Sequence, residues 1–488
     1  MTKKSSVFLL LFITTASWAV DRNQHLSAGE ASVDSNISSA YSMHSANMKQ
    51  AKHILDFHGG NKFFEEPWAQ SVGSVSSQDG LGPFFNSNAC QNCHVRDGRG
   101  HAPQAGDGQR GSDFSTLLIR AASSKLSAAQ AARVKGSLQA NVGDLCIGGQ
   151  LQHLAVFGVQ AEAGQEVSYR YKTVTFNDGY ALQLREPIWH LRGFGCDISA
   201  DTVLSARVAP PMIGLGLLAL IDEKTILGKE DIADSNQDGI SGKANQVWSE
   251  TLQQVVLGRF GWKAGQPSLR QQTAGAFLGD MGITSELNPT ENCLATQLDC
   301  LKAVNGNSDQ RDHHGQFEVS TRILDKVTFY THHLAVPKRR NAYAPQVLQG
   351  KQIFNQLGCA ACHTEQYRTE KSVEFSELSE QHIYPYTDLL LHDMGEALTD
   401  FDRHSNRVDG QLAVEFLAQA NEWRTPPLWG IGLAQTVDPR ANFLHDGRAR
   451  TILEAVLWHG GEAQKSQKAV LALDKSQRAA LLAFLEDL

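Results

Sequence analysis

Cys90-Gln91-Asn92-Cys93-His94 and Cys359-Ala360-Ala361-Cys362-His363 are two copies of one pattern, CxxCH. Two thiols three residues apart share a helical turn, where each can form a thioether to a haem vinyl group. The histidine directly after lies beneath the ring and offers its imidazole to the iron. A single CxxC also suits a redox dithiol or half a zinc site. Two copies, each with His directly after, point instead to two covalently bound c-type haems. Cys90, Cys93 and His94 would hold the first, and Cys359, Cys362 and His363 the second.

The residues around the second motif specify helices. Val347, Gly350, Ile353, Phe354 and Leu357 recur at helical spacing before it. Asp474-Lys475-Ser476-Gln477 resembles a capping box and opens a helix striped by Leu481, Phe484, Leu485 and Leu488. Two helices crossing at a Gly/aromatic contact, with CxxCH after the first, frame a cytochrome c domain, expected over 341–488. Gly59-Gly60 followed by Phe63-Phe64 echoes that helix in the first half, with about 25 residues intervening before Cys90. Residues 49–340 thus read as an N-terminal haem domain, a second copy enlarged by insertions. One insertion, about 140–195, contains Val167-Ser168-Tyr169-Arg170-Tyr171 and Val174-Thr175-Phe176, which alternate as strands do. Asn177-Asp178-Gly179 supplies their turn. The expected fold class is mainly α: two cytochrome c-like haem domains, the first carrying large insertions with a small β element.

Residues 1–19 read as a secretory signal. Lys3 and Lys4 are the basic start, Val7–Ile13 the apolar run, and Ser17-Trp18-Ala19 the cleavage site. Residues 20–48, rich in Ser, Asn and Ala, read as a flexible arm. The expected location is the periplasm, with no membrane span in the mature chain. A net charge of −8 over 488 residues, without a basic stripe, argues against nucleic acid as a partner. In an oxidising compartment the remaining cysteines, Cys146, Cys196, Cys293 and Cys300, suggest two disulfides. Three pairings are open, and proximity favours Cys146–Cys196 with Cys293–Cys300; buried free thiols are the alternative.

Asp234-Ser235-Asn236-Gln237-Asp238-Gly239-Ile240 matches the first half of a calcium loop over 234–245. Asp234, Asn236, Asp238 and the Ile240 carbonyl are its candidate ligands. Position twelve is Asn245 rather than a bidentate Glu, so an Asx-rich turn is the competing interpretation.

Further strings carry a family resemblance. They are Gly80-Leu81-Gly82-Pro83-Phe84-Phe85-Asn86, Asp97-Gly98-Arg99-Gly100 and Pro210–Leu218. Asp280-Met281-Gly282-Ile283-Thr284, Leu391-His392-Asp393-Met394-Gly395, Trp423–Gly430 and Phe443–Thr451 add to them. From about residue 50 to the C-terminus the chain resembles the bacterial di-haem oxidoreductases sometimes labelled thiol oxidoreductases. These are similar to di-haem cytochrome c peroxidases and to the methylamine dehydrogenase maturation enzyme, and more distantly to rubber oxygenases. The resemblance implies a substrate haem in the N-terminal half and an electron-transfer haem in the C-terminal half. In those peroxidases a methionine fourteen residues after the His-Asp-Gly histidine ligates the second iron. Here His445 leads to His459, which implies His363/His459 ligation, with Met394 as the rival ligand. A second imidazole lowers the reduction potential relative to a thioether.

Peroxide cleavage needs an acid–base group above the first iron, and His101 and Glu186 are the distal candidates. Arg120 is a propionate partner or a surface cation, and Trp248 or Trp262 could stand between the haems. The resemblance therefore implies a peroxidase-like enzyme that reduces a small-molecule oxidant. Its electrons would come from a small periplasmic donor protein, a cytochrome c or a cupredoxin. A non-catalytic di-haem electron carrier is one alternative. An oxygenase or oxidase acting on an organic or protein substrate is another. Haem attachment consumes both CxxC pairs, leaving no dithiol for thiol chemistry.

Overall fold

The computed structural model describes residues 23–71, 73, 77–106, 109–306, 317–402 and 408–488. The expected leader lies outside them. Six helices frame the two CxxCH segments: α1 (Ala51–Glu65), α2 (Leu269–Met281), α3 (Thr321–His333), α4 (Pro345–Gln356), α5 (Ile452–Trp458) and α6 (Lys475–Asp487). Four strands matter equally: β1 (Leu117–Ser123), β2 (Ala163–Thr175), β3 (Ala181–Gly193) and β4 (Thr202–Val208).

The expectation of a mainly α fold of two cytochrome c-like domains is overturned. About 30% of the residues are helical and 20% are in strands, the latter spread over eight two-stranded sheets among the described residues. CxxCH reports on cofactor attachment and on the helix beside it. It carries no information about the long intervening segments, whose backbone groups pair locally into ladders.

The two helix crossings form as their glycines require. At the crossing of α4 and α6, a Cβ on Gly350 would lie 1.9 Å from the Ala480 carbonyl oxygen, and the Phe354 and Phe484 rings are 5.3 Å apart. Asp474 caps α6 by accepting from the Ser476 and Gln477 amides. At the crossing of α1 and α3, a Cβ on Gly60 would lie 2.2 Å from the Lys326 carbonyl oxygen, and Phe64 packs 5.3 Å from Tyr330. Each crossing thus uses a glycine and an aromatic residue four positions later.

β2 and β3 pair antiparallel along their full thirteen residues, turning at Asn177-Asp178-Gly179, where Gly179 has φ +84°. β1 and β4 pair antiparallel, with Leu118 opposite Arg207 and Arg120 opposite Ser205. The largest core cluster joins Tyr169 and Trp189 of the hairpin to Phe354, Trp458 and Phe484, so one core spans the expected domain boundary near residue 340. Arg185 of β3 is buried and donates to the Gly447 and Arg448 carbonyls.

Residues 23–48 are held in place rather than trailing as an arm. Val33 and His44 bridge to Pro337 and Leu334, and the buried Tyr41 hydroxyl donates to the Gly430 carbonyl. Disulfides join Cys146 to Cys196 and Cys293 to Cys300. Among the described residues, no helix is long and apolar enough to cross a membrane.

Candidate functional site

Each CxxCH segment opens into its own cavity. The first holds about 1700 Å³ of atom-free space, part of it open to solvent, beside Cys90, Cys93 and His94. α2 gives it one helical face through Leu269, Gln272, Thr273, Ala276 and Asp280, while Leu118, Arg120 and Arg207 come from the β1–β4 ladder. The second holds about 1380 Å³, likewise partly open to solvent, beside Cys359, Cys362 and His363, with His459, Met394, Trp423 and His445 also in its walls.

The histidines are prepared as ligands. His94 Nδ1 is 2.8 Å from the Pro210 carbonyl oxygen, and His363 Nδ1 is 3.0 Å from that of Tyr386. A carbonyl only accepts, so Nδ1 carries the proton and Nε2 keeps its lone pair. Burial pushes both imidazoles down to about 4, so they are neutral near pH 7. His459 shows the same pattern, with Nδ1 2.8 Å from the Ala455 carbonyl and burial lowering its pKa. Phe64 packs 6.1 Å from His94, and Phe354 6.1 Å from His363, so each helix crossing supports one proximal histidine.

The four motif cysteines are unpaired. Burial pushes Cys90 and Cys359 up to about 12 and raises Cys93 and Cys362 as well. Thiols this reluctant to ionise make a poor exchange dithiol. With a neutral imidazole beside each pair and a roomy cavity whose walls combine apolar side chains with arginines, the donor set fits a c-type haem at both positions.

Arg99, Trp262, Arg424, Pro426 and Pro427 line both cavities. Trp262 is fixed by its Nε1–H, which donates to the Val208 carbonyl at 2.8 Å. Trp248 lines neither cavity. Trp423 borders only the second, its face covered by the His445 ring.

The distal candidates fall elsewhere. His101 is buried outside both cavities, its Nδ1 3.2 Å from the Ala102 carbonyl. Glu186 lies on β3, 3.4 Å from Arg170. Neither side chain could be placed from sequence, because the fold of the first half was not legible there. The acidic groups that do line the first cavity are Asp280 and Glu415. Burial raises the pKa of Asp280, whose Oδ1 accepts from Gln150 Nε2 at 3.0 Å. Burial also opposes ionisation of Glu415, but Arg207 and Arg120 outweigh it and hold the carboxylate charged; its Oε2 is 2.6 Å from Arg207. Asp280 and Arg424 stand inside strings that carry the family resemblance, which was the available signal. Arg207 and Glu415 carried none. Arg120 does line the first cavity.

The loop at 234–240 turns its acceptors on itself. Asp234 accepts from the Gly239 amide, Asn236 from Asp238, and Asp238 from Ile240. Asn245 is buried and donates to the Lys263 and Glu415 carbonyls, so it serves the wall of the first cavity rather than the loop. His392, beside Cys362, lies between Asp388 at 2.8 Å and Glu462 at 2.6 Å. Burial disfavours its charge, but these carboxylates outweigh burial and hold its pKa well above the ordinary value. Glu462 also accepts from the Ser241 hydroxyl, tying the loop to the segment after His459.

Residues 22–488 match the family described as "Di-haem oxidoreductase, putative peroxidase". No curated protein matches. Among solved structures, Kuenenia stuttgartiensis hydrazine synthase, pressurized with 20 bar xenon, is similar at 18% identity over 40% of this chain, with a TM-score of 0.25. The match spans 63% of that chain's length.

Proposed function

The chain belongs to the di-haem oxidoreductase family, whose cofactors are two haems, and from that premise we propose a periplasmic, peroxidase-like enzyme with two covalently bound haems c. The observation that carries the proposal is an asymmetry of imidazoles. Among the described residues, His94 is the only histidine lining the first cavity, whereas His363, His392, His445 and His459 all line the second, His459 being the one that the family resemblance points to as the partner of His363.

Cys90 and Cys93 would tether the first haem and His94 would ligate its iron. The first cavity would leave room for a small oxidant such as hydrogen peroxide. Cys359, Cys362, His363 and His459 would hold the second, and paired imidazoles suit an electron-transfer site. When bound, the haems supply one-electron chemistry at iron. The chain's own part is to orient, exclude water and hold protons. Pro210 and Tyr386 carbonyls fix the imidazole tautomers. Asp280, with its raised pKa, is the group suited to hold a proton inside the first cavity. Trp262, in the wall of both cavities, is placed to relay electrons between them.

The leader-like sequence of residues 1–19 and the two disulfides support export to the periplasm, where a small cytochrome c or cupredoxin is the proposed donor. Calcium at the 234–240 loop has no role in this proposal. The non-catalytic alternative has one observation in its favour: Met212 and Met281 line the first cavity, and a thioether from either could serve as a second protein ligand there.

Peroxide turnover by the reduced holoprotein, together with the spin state of each iron, tests the proposal. The expected result is a high-spin ferric fraction at the first haem, a low-spin second haem, and turnover with a cytochrome, cupredoxin or dye donor. An entirely low-spin resting protein without peroxide turnover overturns it in favour of electron transfer alone.

A further inference from the structure

Resting on the two-haem proposal above, we propose that Arg99 and Arg424 are the shared counter-charge for propionate carboxylates of both haems. The two guanidiniums would thereby raise the reduction potentials of both sites together.

Both side chains line both cavities, yet they are only 4% and 7% exposed. Arg99 makes no hydrogen bond or ion pair with any described residue, and its buried Nη1 is without a partner. Its guanidinium lies 5.7 Å from the Trp262 ring centre and 5.5 Å from that of Phe443, so aromatic faces position it without neutralising it. Arg424 uses Nε on the Gly261 carbonyl at 2.8 Å and Nη1 on that of Thr425 at 3.2 Å, and no carboxylate among the described residues is bonded to it. Among those residues, no Asp or Glu lines the second cavity.

Burial pushes both guanidiniums down to about 10, so both remain cations at neutral pH. A buried cation with no bonded counter-ion is costly; Asp388 acts on Arg424 only through space and is already engaged by His392. Arg207, by contrast, has its carboxylate in Glu415. The missing anions match what a haem brings: two carboxylates, whose planar geometry suits the guanidinium fork.

The charges also have a consequence for electron flow. A fixed cation beside a haem favours the ferrous state, whose iron carries one positive charge less. Because Arg99 and Arg424 each border both cavities, removing either charge must lower two potentials together. A cation bordering one cavity, such as Arg120, can lower only one.

Spectroelectrochemical titration of holoprotein variants tests this, with haem counted per chain as the pyridine haemochrome. Arg99→Gln and Arg424→Gln are each expected to retain two haems and to lower both midpoint potentials. Arg99→Lys is expected to restore most of the shift, and Arg120→Gln to leave the second potential unmoved. Doubly loaded Arg99→Gln or Arg424→Gln protein with unmoved potentials, or with a shift in one haem alone, overturns the shared counter-charge. If Arg99→Gln cannot be loaded, Arg424→Gln decides by the same two outcomes. Wild-type protein with fewer than two haems overturns the underlying proposal and the clamp with it.

Discussion

Trp423 and His445 stack with ring centres 3.6 Å apart and planes 11° from parallel. The Lys263 ammonium lies 3.7 Å from the same indole centre and 3.2 Å from Asp400, with both charged side chains fully buried. Burial pushes Lys263 down to about 8, partly offset by Asp400. Its charge is further met by the Gln419 and Glu422 carbonyls. Removing one member of such a pair leaves the other uncompensated, at a cost of about 3–5 kcal/mol. Lys263→Met should therefore lower denaturant stability of the holoprotein by that order. Adding Asp400→Asn should recover much of it. Equal losses in the single and double variants would show that the ion pair is not the cause.

His445 makes stability dependent on acid. Its Nδ1 is 3.0 Å from the Ala206 carbonyl, and burial pushes it from 6.5 down to about 4. Between those values the unfolded state binds a proton that the folded state refuses. Stability contributed by the neutral ring is thus present above pH 6.5 and lost as pH falls toward 4, with a limiting slope of about 1.4 kcal/mol per pH unit. His445→Asn is expected to make stability less steep in that window, as measured by unfolding titrations from pH 7 to 4. An unchanged slope would mean that His445 does not resist protonation.

The sequence was most legible where one residue type has one physical use. The CxxCH motifs located both cavities, and Gly350 and Phe354 located the crossing with Phe484 because only a glycine admits the Ala480 carbonyl. Alternation around Asn177-Asp178-Gly179 located the β2–β3 hairpin, though not its thirteen-residue length. The β1–β4 ladder was missed because the residue types of Leu117–Ser123, apolar at all but Arg120 and Ser123, do not alternate, although burial does over Leu117–Ala121. Without that ladder, Arg207 could not be placed opposite Leu118 in the cavity wall. His101 and Glu186 were chosen by residue type alone, and chain distance from a motif says little about which side chains converge on it.

Asp280 connects α2 to proton handling. It lines the first cavity, burial raises its pKa, and its carboxylate lies near enough to the Cys90 and Cys93 thiols to raise theirs. Asp280→Asn keeps the shape and the bond with Gln150 but removes the exchangeable proton. Peroxide turnover is expected to fall by about 10²–10⁴-fold, the range for loss of a general acid–base group, with haem content and the spectrum of the second haem preserved. Turnover within a few-fold of wild type would assign proton transfer to another group or to water.

Gly60 and Gly350 allow the two haem sites to be perturbed one at a time. A Cβ at either position meets a backbone carbonyl, of Lys326 in the first case and of Ala480 in the second, and backbone cannot swing aside as a flexible side chain can. Alanine there must push the helices apart, at a cost of about 1–3 kcal/mol. The strain falls beside one proximal histidine in each variant: Phe64 and His94 for Gly60→Ala, Phe354 and His363 for Gly350→Ala. Gly350→Ala is therefore expected to perturb the second haem's low-spin absorption while leaving the first haem's high-spin signal intact, and Gly60→Ala the reverse. The α4–α6 crossing belongs to the core shared with the hairpin and the α1–α3 crossing to a cluster of its own; both variants are nevertheless expected to lower the temperature of a single unfolding transition. Two separately shifted transitions in calorimetry would show that the two clusters unfold independently.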